Sequence, residues 1–315
     1  MAKENEYDFI AVGAGVSGLA AGMYAGRLGL KTLVLGGVFG SEIPIGGVIT
    51  TTNLVENYPG FISISGSELA ERIRKHAESY PLVTIKPEIA LDIEKKKNGF
   101  EVATKKAKYY GKTLLFSTGT RWKRLEVPGG KEFENRGVNY CALCDAPLYK
   151  NKIVAIIGGS DSAAKEALIL AEQAKKVFII YRKEKIRAEP VNVKRISEKK
   201  NIEIINNANV IEVKGDKSVK AVILDKEYRG SNELKLDGVF VAIGHVVLSE
   251  LAEKLGVNVN EKKEIMIDHK TAETNVPGIY AAGDVTDRPF KQAITGVSDG
   301  CVAAYSAFEY IDKNA

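Results

Sequence analysis

An apolar run, a tight glycine turn and a helix of small side chains occur twice in this chain, about 145 residues apart. No other feature limits the possible fold as strongly. In the first copy, residues 7–12 read as a buried strand and Gly13-Ala14-Gly15-Val16-Ser17-Gly18 as a strand-to-helix turn. Residues 19–28 read as a helix and 32–35 as the next strand. G-x-G-x-x-G in that context has a physical basis. The first glycine permits the sharp turn, the second lets the backbone approach a diphosphate, and the third lets the helix pack on the strand. The helix N-terminus then presents unpaired N–H groups and a positive dipole end to the phosphates. In the second copy the strand is 152–157 and the turn Gly158-Gly159-Ser160-Asp161-Ser162-Ala163. A helix to about residue 174 and a strand at 177–181 follow. One such turn is as often a packing device as a phosphate cradle; recurrence in matching contexts favours the cradle.

The repetition extends further. Residues 89–93 and 100–104 predict a hairpin turning at Asn98-Gly99, which leads into a strand at 113–119. The later half repeats this with 210–213, a turn near Gly215-Asp216, 221–224 and a strand at 238–244. The expected fold is α/β: two Rossmann-like dinucleotide-binding domains, each with a parallel sheet plus a β-meander. The 315 residues supply enough chain for two cores, and the 30 glycines cluster after apolar runs. Apolar content of 45% and charged content of 27% exclude wholesale disorder. No run approaches the ~20 apolar residues of a membrane helix, and residues 1–6 are too polar for a signal-peptide core. A cytoplasmic protein with no membrane partner is expected. Lys95-Lys96-Lys97 and Lys105-Lys106 flank the hairpin as exposed edges without interleaved aromatics, so no nucleic-acid partner is expected.

Three cysteines cannot build a disulfide framework. Cys141 and Cys144 sit one turn apart, close enough for a small-loop disulfide. If they open a helix, its dipole and free N–H groups stabilise a thiolate. Asp145 adjoins them and can exchange a proton with a sulfur. Zinc would need four ligands, and Cys301, His76, His245 and His269 are single and scattered, so no metal site is expected. An inert pair of buried thiols is the other alternative. Cys301 lies in a small-residue helical run and reads as a packed thiol. Arg182, Lys183 and Arg187 follow the second strand of the later copy, where cations accommodate a 2′-phosphate, though a solvated turn has the same composition. Ser160 brings a Cβ to the middle-glycine position of that turn, with its hydroxyl as partial compensation. Asp284 stands at the carboxyl end of residues 278–282, where α/β ligands bind, and would equally serve as a helix cap.

Four motifs in order, Gly13-Ala14-Gly15-Val16-Ser17-Gly18, Val55-Glu56-Asn57-Tyr58-Pro59-Gly60, Cys141-Ala142-Leu143-Cys144-Asp145 and Ala281-Ala282-Gly283-Asp284-Val285, carry a resemblance. Over essentially its whole length the chain resembles the low-molecular-weight thioredoxin reductases. That resemblance implies an FAD domain from 1–120 and 247–315, with an NAD(P)H and disulfide domain, 121–246, inserted in it. FAD would be held by Gly13, Gly15, Gly18, Gly46, Gly47, Asn57, Asp284, Lys291, Gln292 and Ala293, with Asp284 on a ribityl hydroxyl. NADPH would be held by Gly158, Gly159, Ser160, Asp161, Ser162, Arg182, Lys183 and Arg187. Cys144 would face the flavin and Cys141 would attack the disulfide of a thioredoxin-like partner. The two crossings would act as hinges in a homodimer. The chain departs from the pattern in five places, Ser160 at the middle-glycine position among them. Val48 follows Gly46-Gly47 where the family has glutamine, and Gly36-Gly37 follows the second strand where an acid would bind ribose. Tyr181 and Lys183 replace a histidine and an arginine. Ser160, Tyr181 and Lys183 motivate one alternative, a non-nicotinamide donor such as a deazaflavin or ferredoxin; a flavin-carrying redox sensor whose C-x-x-C switches a partner interaction without turnover is another.

Overall fold

A computed structural model describes residues 5–37 and 44–314; the polar start of the chain, 1–4, lies outside them. The chain divides into two compact units, Met1–Arg121 with Val247–Ala315, and Trp122–Val246. Thr120–Trp122 and His245–Val247, which carry the chain across, pair as a two-stranded ribbon.

In the first unit Glu6–Val12 is the inner strand, parallel to Thr32–Leu35 on one side and to Lys108–Phe116 on the other. Val83–Lys86 extends the sheet beyond Thr32–Leu35. The apolar runs leave Phe9, Ile10, Leu33, Leu114 and Leu115 fully buried, as strands covered on both faces must be. Lys108–Phe116 has a divided outer edge. Its first half pairs antiparallel with Gly99–Ala103, and its last three residues pair parallel with Ile279–Ala281. The C-terminal part of the chain thereby completes the first sheet. The closing helix, Ala293–Lys313, packs on Val16–Arg27 through small residues. A Cβ added at Gly300 would stand 2.2 Å from the backbone oxygen of Ser17, so only glycine permits that approach.

The second unit repeats the plan. Ile153–Ile157 lies between Lys176–Tyr181 and Gly238–Val241, all parallel. Its meander, Val210–Gly215, Val219–Tyr228 and Ser231–Lys235, forms a separate three-stranded antiparallel sheet.

Several boundaries differ from the sequence expectation. The first helix begins at Val16, inside the glycine motif, rather than at residue 19. The hairpin strands are Asp92–Lys96 and Gly99–Ala103, and Lys96 pairs with Gly99, so Lys97 and Asn98 make the turn. Gly99 is needed for another reason: its Cβ would meet the Gly111 carbonyl oxygen at 2.3 Å. The strand expected at 113–119 runs instead from Lys108 to Phe116, because one nine-residue strand serves both meander and parallel sheet. The strand expected at 238–244 ends at Val241, and Ser231–Lys235 was not anticipated. Exposed, polar strands of this kind carry little hydrophobic signal.

Candidate active site

The first glycine turn folds as its residue types demand. Gly13 has φ +121°, and a Cβ there would lie 2.2 Å from the Ser117 carbonyl oxygen. A Cβ on Gly18 would lie 1.9 Å from the Gly13 oxygen. These two glycines are required by the protein itself. Gly15 is not: its φ is −73°, and the nearest atom to an added Cβ is the Gly47 Cα at 3.8 Å. The Gly46 N–H donates to the Ala14 oxygen at 2.8 Å, and a Cβ on Gly47 would come within 2.9 Å of the Gly15 Cα. Gly15, Gly46 and Gly47 thus line one surface without side chains at the N-terminus of Val16–Arg27. A bare cradle at a helix N-terminus fits a diphosphate, and the residues present fit such a group.

Other expected residues come to the same unit. Asp284 is half-buried in the turn Gly283–Val285, directly after strand Ile279–Ala281. The Asn57 side-chain amide donates to Gln292 Oε1 at 3.0 Å. Gln292 caps Ala293–Lys313 in a reciprocal box with Thr295, leaving a positive dipole end there. Lys291 turns inward: its Nζ donates to Glu264 Oε1 at 2.6 Å and to the backbone oxygens of Asp284 and Thr286 at 3.0 and 2.8 Å. It fastens the 284–291 segment, a role the sequence did not suggest. Burial alone would raise the Glu264 carboxyl, but Lys291 and Asn260 outweigh it and hold it below its ordinary range. Cys301 is half-buried, and burial pushes its thiol up to about 11, so it is a poor nucleophile.

In the second unit Cys141 and Cys144 form a disulfide. Cys141 is the N-cap of the short helix Ala142–Asp145, and the backbone N–H of Cys144 donates to Cys141 Sγ at 3.2 Å. Ala142 and Ala146 are buried with Ala163, Ala164 and Ala167, which seats the disulfide turn on Asp161–Ala171. Cys144 is exposed and Cys141 half-buried. Burial raises the Asp145 carboxyl above the usual aspartate range, so it keeps its proton to higher pH than an exposed acid. Glu166, on the same supporting helix, was missed by sequence reasoning. The spacing Ala163, Glu166, Ala167, Leu170 places it on the buried face, and that periodicity was the available signal.

The second glycine turn differs from the first. Gly158 has φ +145° and its Cβ would lie 2.2 Å from the Ala242 oxygen, a packing role. At Gly159 an added Cβ would meet the Tyr181 ring at 2.4 Å. Ser160 spends its hydroxyl on capping Asp161–Ala171, accepting from the Ala163 N–H at 3.5 Å. Asp161 accepts from the Glu189 N–H and the Asn192 amide at 2.9 and 2.8 Å and pairs with Lys165 at 2.9 Å. Its carboxylate is therefore committed within the protein. Arg187 is brought to the turn: its N–H donates to the Gly159 oxygen at 2.6 Å and its Nε to Tyr181 Oη at 3.2 Å. Ser162, Arg182 and Lys183 are exposed. Among the described residues no cluster of His, Cys, Asp and Glu could hold a metal, and no helix is long and apolar enough to cross a membrane.

Residues 7–300 match the family model described as pyridine nucleotide-disulphide oxidoreductase. The chain belongs to that family. Membership as a pyridine nucleotide-disulphide oxidoreductase implies a flavin and a nicotinamide cofactor and accounts for the disulfide. Thioredoxin reductase of Bacillus subtilis is 36% identical over 99% of this chain and 97% of its own length. T. acidophilum thioredoxin reductase superposes with TM-score 0.90 at 37% identity, covering 99% of this chain and 100% of that one. Lactococcus lactis thioredoxin reductase in its FR conformation gives TM-score 0.90 at 33% identity, with 98% and 99% covered. The chain is an α/β disulfide oxidoreductase of this type.

Proposed function

We propose that this oxidoreductase holds FAD in the first unit and NADPH in the second, and reduces the disulfide of a thioredoxin-like protein through Cys141 and Cys144. The observation that carries the reading is a disulfide capping a helix, with Asp145 beside it, its carboxyl raised by burial above the usual aspartate range. A cytoplasmic homodimer goes with the same reading. FAD would rest on Gly13, Gly15, Gly18, Gly46 and Gly47, with Asp284, Asn57, Lys291, Gln292 and Ala293 on its ribityl and ring side; NADPH would meet Gly158, Gly159, Ser160, Asp161, Ser162, Arg182, Lys183 and Arg187. When bound, FAD and a nicotinamide would supply the electron pair that opens the disulfide.

The chain's own groups then divide the work. The Cys144 N–H already points at Cys141 Sγ, which favours a thiolate on that sulfur once the bond opens. Cys141 is therefore the attacking sulfur although Cys144 is more exposed. Asp145 gives a proton to the other sulfur and takes it back when that sulfur resolves the mixed disulfide. The partner's two sulfurs leave as thiolates that take their protons from solvent, and Cys141–Cys144 is re-formed.

A second reading rests on Tyr181. Its ring covers Gly159, where a dinucleotide turn is normally bare, and this favours a donor other than a nicotinamide. An anaerobic spectral titration separates the two. Bleaching of the flavin by micromolar NADPH supports the first reading; bleaching only by dithionite or a reduced ferredoxin overturns it.

A further inference from the structure

We propose that Glu166 is a positioning residue for the disulfide, its buried carboxyl controlling by charge how readily the Cys141–Cys144 bond is reduced. The residue sits in Asp161–Ala171, on the face that carries the disulfide turn. Its carboxyl faces the backbone N–H of Ala142, the residue between the capping sulfur and the rest of the turn. Oε2 is sealed from solvent and has no hydrogen-bond partner among the described residues. The residue as a whole keeps partial exposure, so the buried part is its carboxyl end.

A structural acid in such a place would be expected to carry a full set of partners. Glu166 does not, and burial pushes it up to about 8, with the Ala142 N–H pulling weakly the other way. No charged neighbour contributes. Asp145 and Tyr149 lie on the turns packed against its helix, and Lys176 and Tyr181 on the neighbouring strand. Lys194, Arg195 and Glu198 lie on the adjoining helix Pro190–Glu198. On its own helix Asp161 and Lys165 pair with each other. None of these shifts the Glu166 proton, which leaves the carboxyl free to respond to the sulfurs.

Reduction changes the charge on the turn that packs against its helix. The sulfur–sulfur bond accepts an electron pair and breaks; one sulfur takes a proton and becomes a thiol, and the other remains a thiolate. A neutral Glu166 tolerates that thiolate, whereas an ionised one repels it and favours the disulfide. Conversely, the new thiolate raises the proton affinity of Glu166, so reduction draws a proton from solvent onto it.

This rests on the redox activity of Cys141–Cys144, and the test keeps the two apart. Wild-type holoenzyme, Glu166→Gln and Glu166→Asp are equilibrated anaerobically with dithiothreitol redox buffers at pH 6.5 and pH 9, and the thiols are counted after alkylation. At pH 9 the Gln variant is expected to lie about tenfold further toward the dithiol, ~30 mV for a two-electron couple. At pH 6.5 it matches wild type, and the Asp variant, which keeps the charge, matches wild type at both. An equal shift at both pH values, no shift at pH 9, or an Asp variant that behaves as Gln overturns the role of Glu166. A wild-type pair that never equilibrates with the buffer overturns the disulfide reading beneath it as well. The Gln and Asp comparisons each decide the matter alone, should one variant not fold.

Discussion

Alanine at Gly15 separates a glycine kept for a ligand from a glycine kept for the fold. Gly15 has φ −73°, open to any residue, and an added Cβ would have the Gly47 Cα at 3.8 Å as its nearest contact, an ordinary van der Waals distance. Gly15 is the N-cap of Val16–Arg27, where alanine is inferior to glycine by about 0.5–1 kcal/mol. The smaller conformational freedom of the unfolded alanine chain returns about 0.4–1 kcal/mol. The two nearly cancel, so the apoprotein is expected to melt within ~2 °C of wild type. Flavin binding should suffer heavily. A Cβ on the open side of the cradle pushes the diphosphate off the N–H groups, and two charge-assisted hydrogen bonds at about 1.5–3 kcal/mol each amount to roughly 10²–10⁴ in affinity. Gly18→Ala should behave oppositely: its Cβ would sit 1.9 Å from a backbone oxygen, so stability falls by at least 1–3 kcal/mol, an order-of-magnitude overpacking cost, before any ligand is added. Calorimetry of the apoproteins and fluorescence titration with FAD read both quantities. A Gly15→Ala apoprotein several degrees less stable, or one with unchanged FAD affinity, would refute the assignment of that cradle.

Other substitutions probe the second unit. Cys144→Ser should abolish disulfide reduction while the purified protein stays yellow; retained reductase activity would remove the pair from the chemistry. Asp145→Asn should slow turnover by 10²–10⁴, roughly the usual size of a general-acid contribution, without changing flavin content, and equal rates for the two proteins would dismiss its proton role. Arg187→Ala should raise the KM for NADPH at least ~10-fold through loss of a charged phosphate contact and leave NADH little affected; equal effects on both would point to a merely structural bond to Tyr181. Glu166 also makes a stability prediction. Because its folded pKa is raised to about 8 from 4.5, the native state binds more protons than the unfolded chain between those values, so stability falls as pH rises through that window. Glu166→Gln, free of that cost, should gain up to about 3 kcal/mol over wild type at pH 7 and nothing below pH 4, as chemical denaturation at the two pH values would reveal. A constant difference across pH would contradict it.

The sequence by itself determined the architecture of each unit and the chemistry at its centre. Apolar runs ending in Gly13 and Gly158 can only bury both faces by forming parallel strands under helices, and Cys141 and Cys144 at three-residue spacing can close on each other without help from the rest of the chain. These are local constraints, and local spacing reports them. Long-range contact decided the remainder. That Gly15 is spare for the fold while Gly13 is not depends on Gly47 and Ser117, more than 30 residues away in either case, whereas Gly18 is fixed locally by the Gly13 carbonyl oxygen. Lys291 spends its ammonium on Glu264 because that carboxylate lies within reach, and the Tyr181 ring closes over Gly159 because a parallel strand delivers it there. Glu166 is the sharpest case: a charged letter in a helix reads as solvent-facing until the disulfide turn is seen to cover it. Burial is a property of what packs against a residue: the helical spacing with Ala163, Ala167 and Leu170 marks an inner face for Glu166 but does not say what covers it.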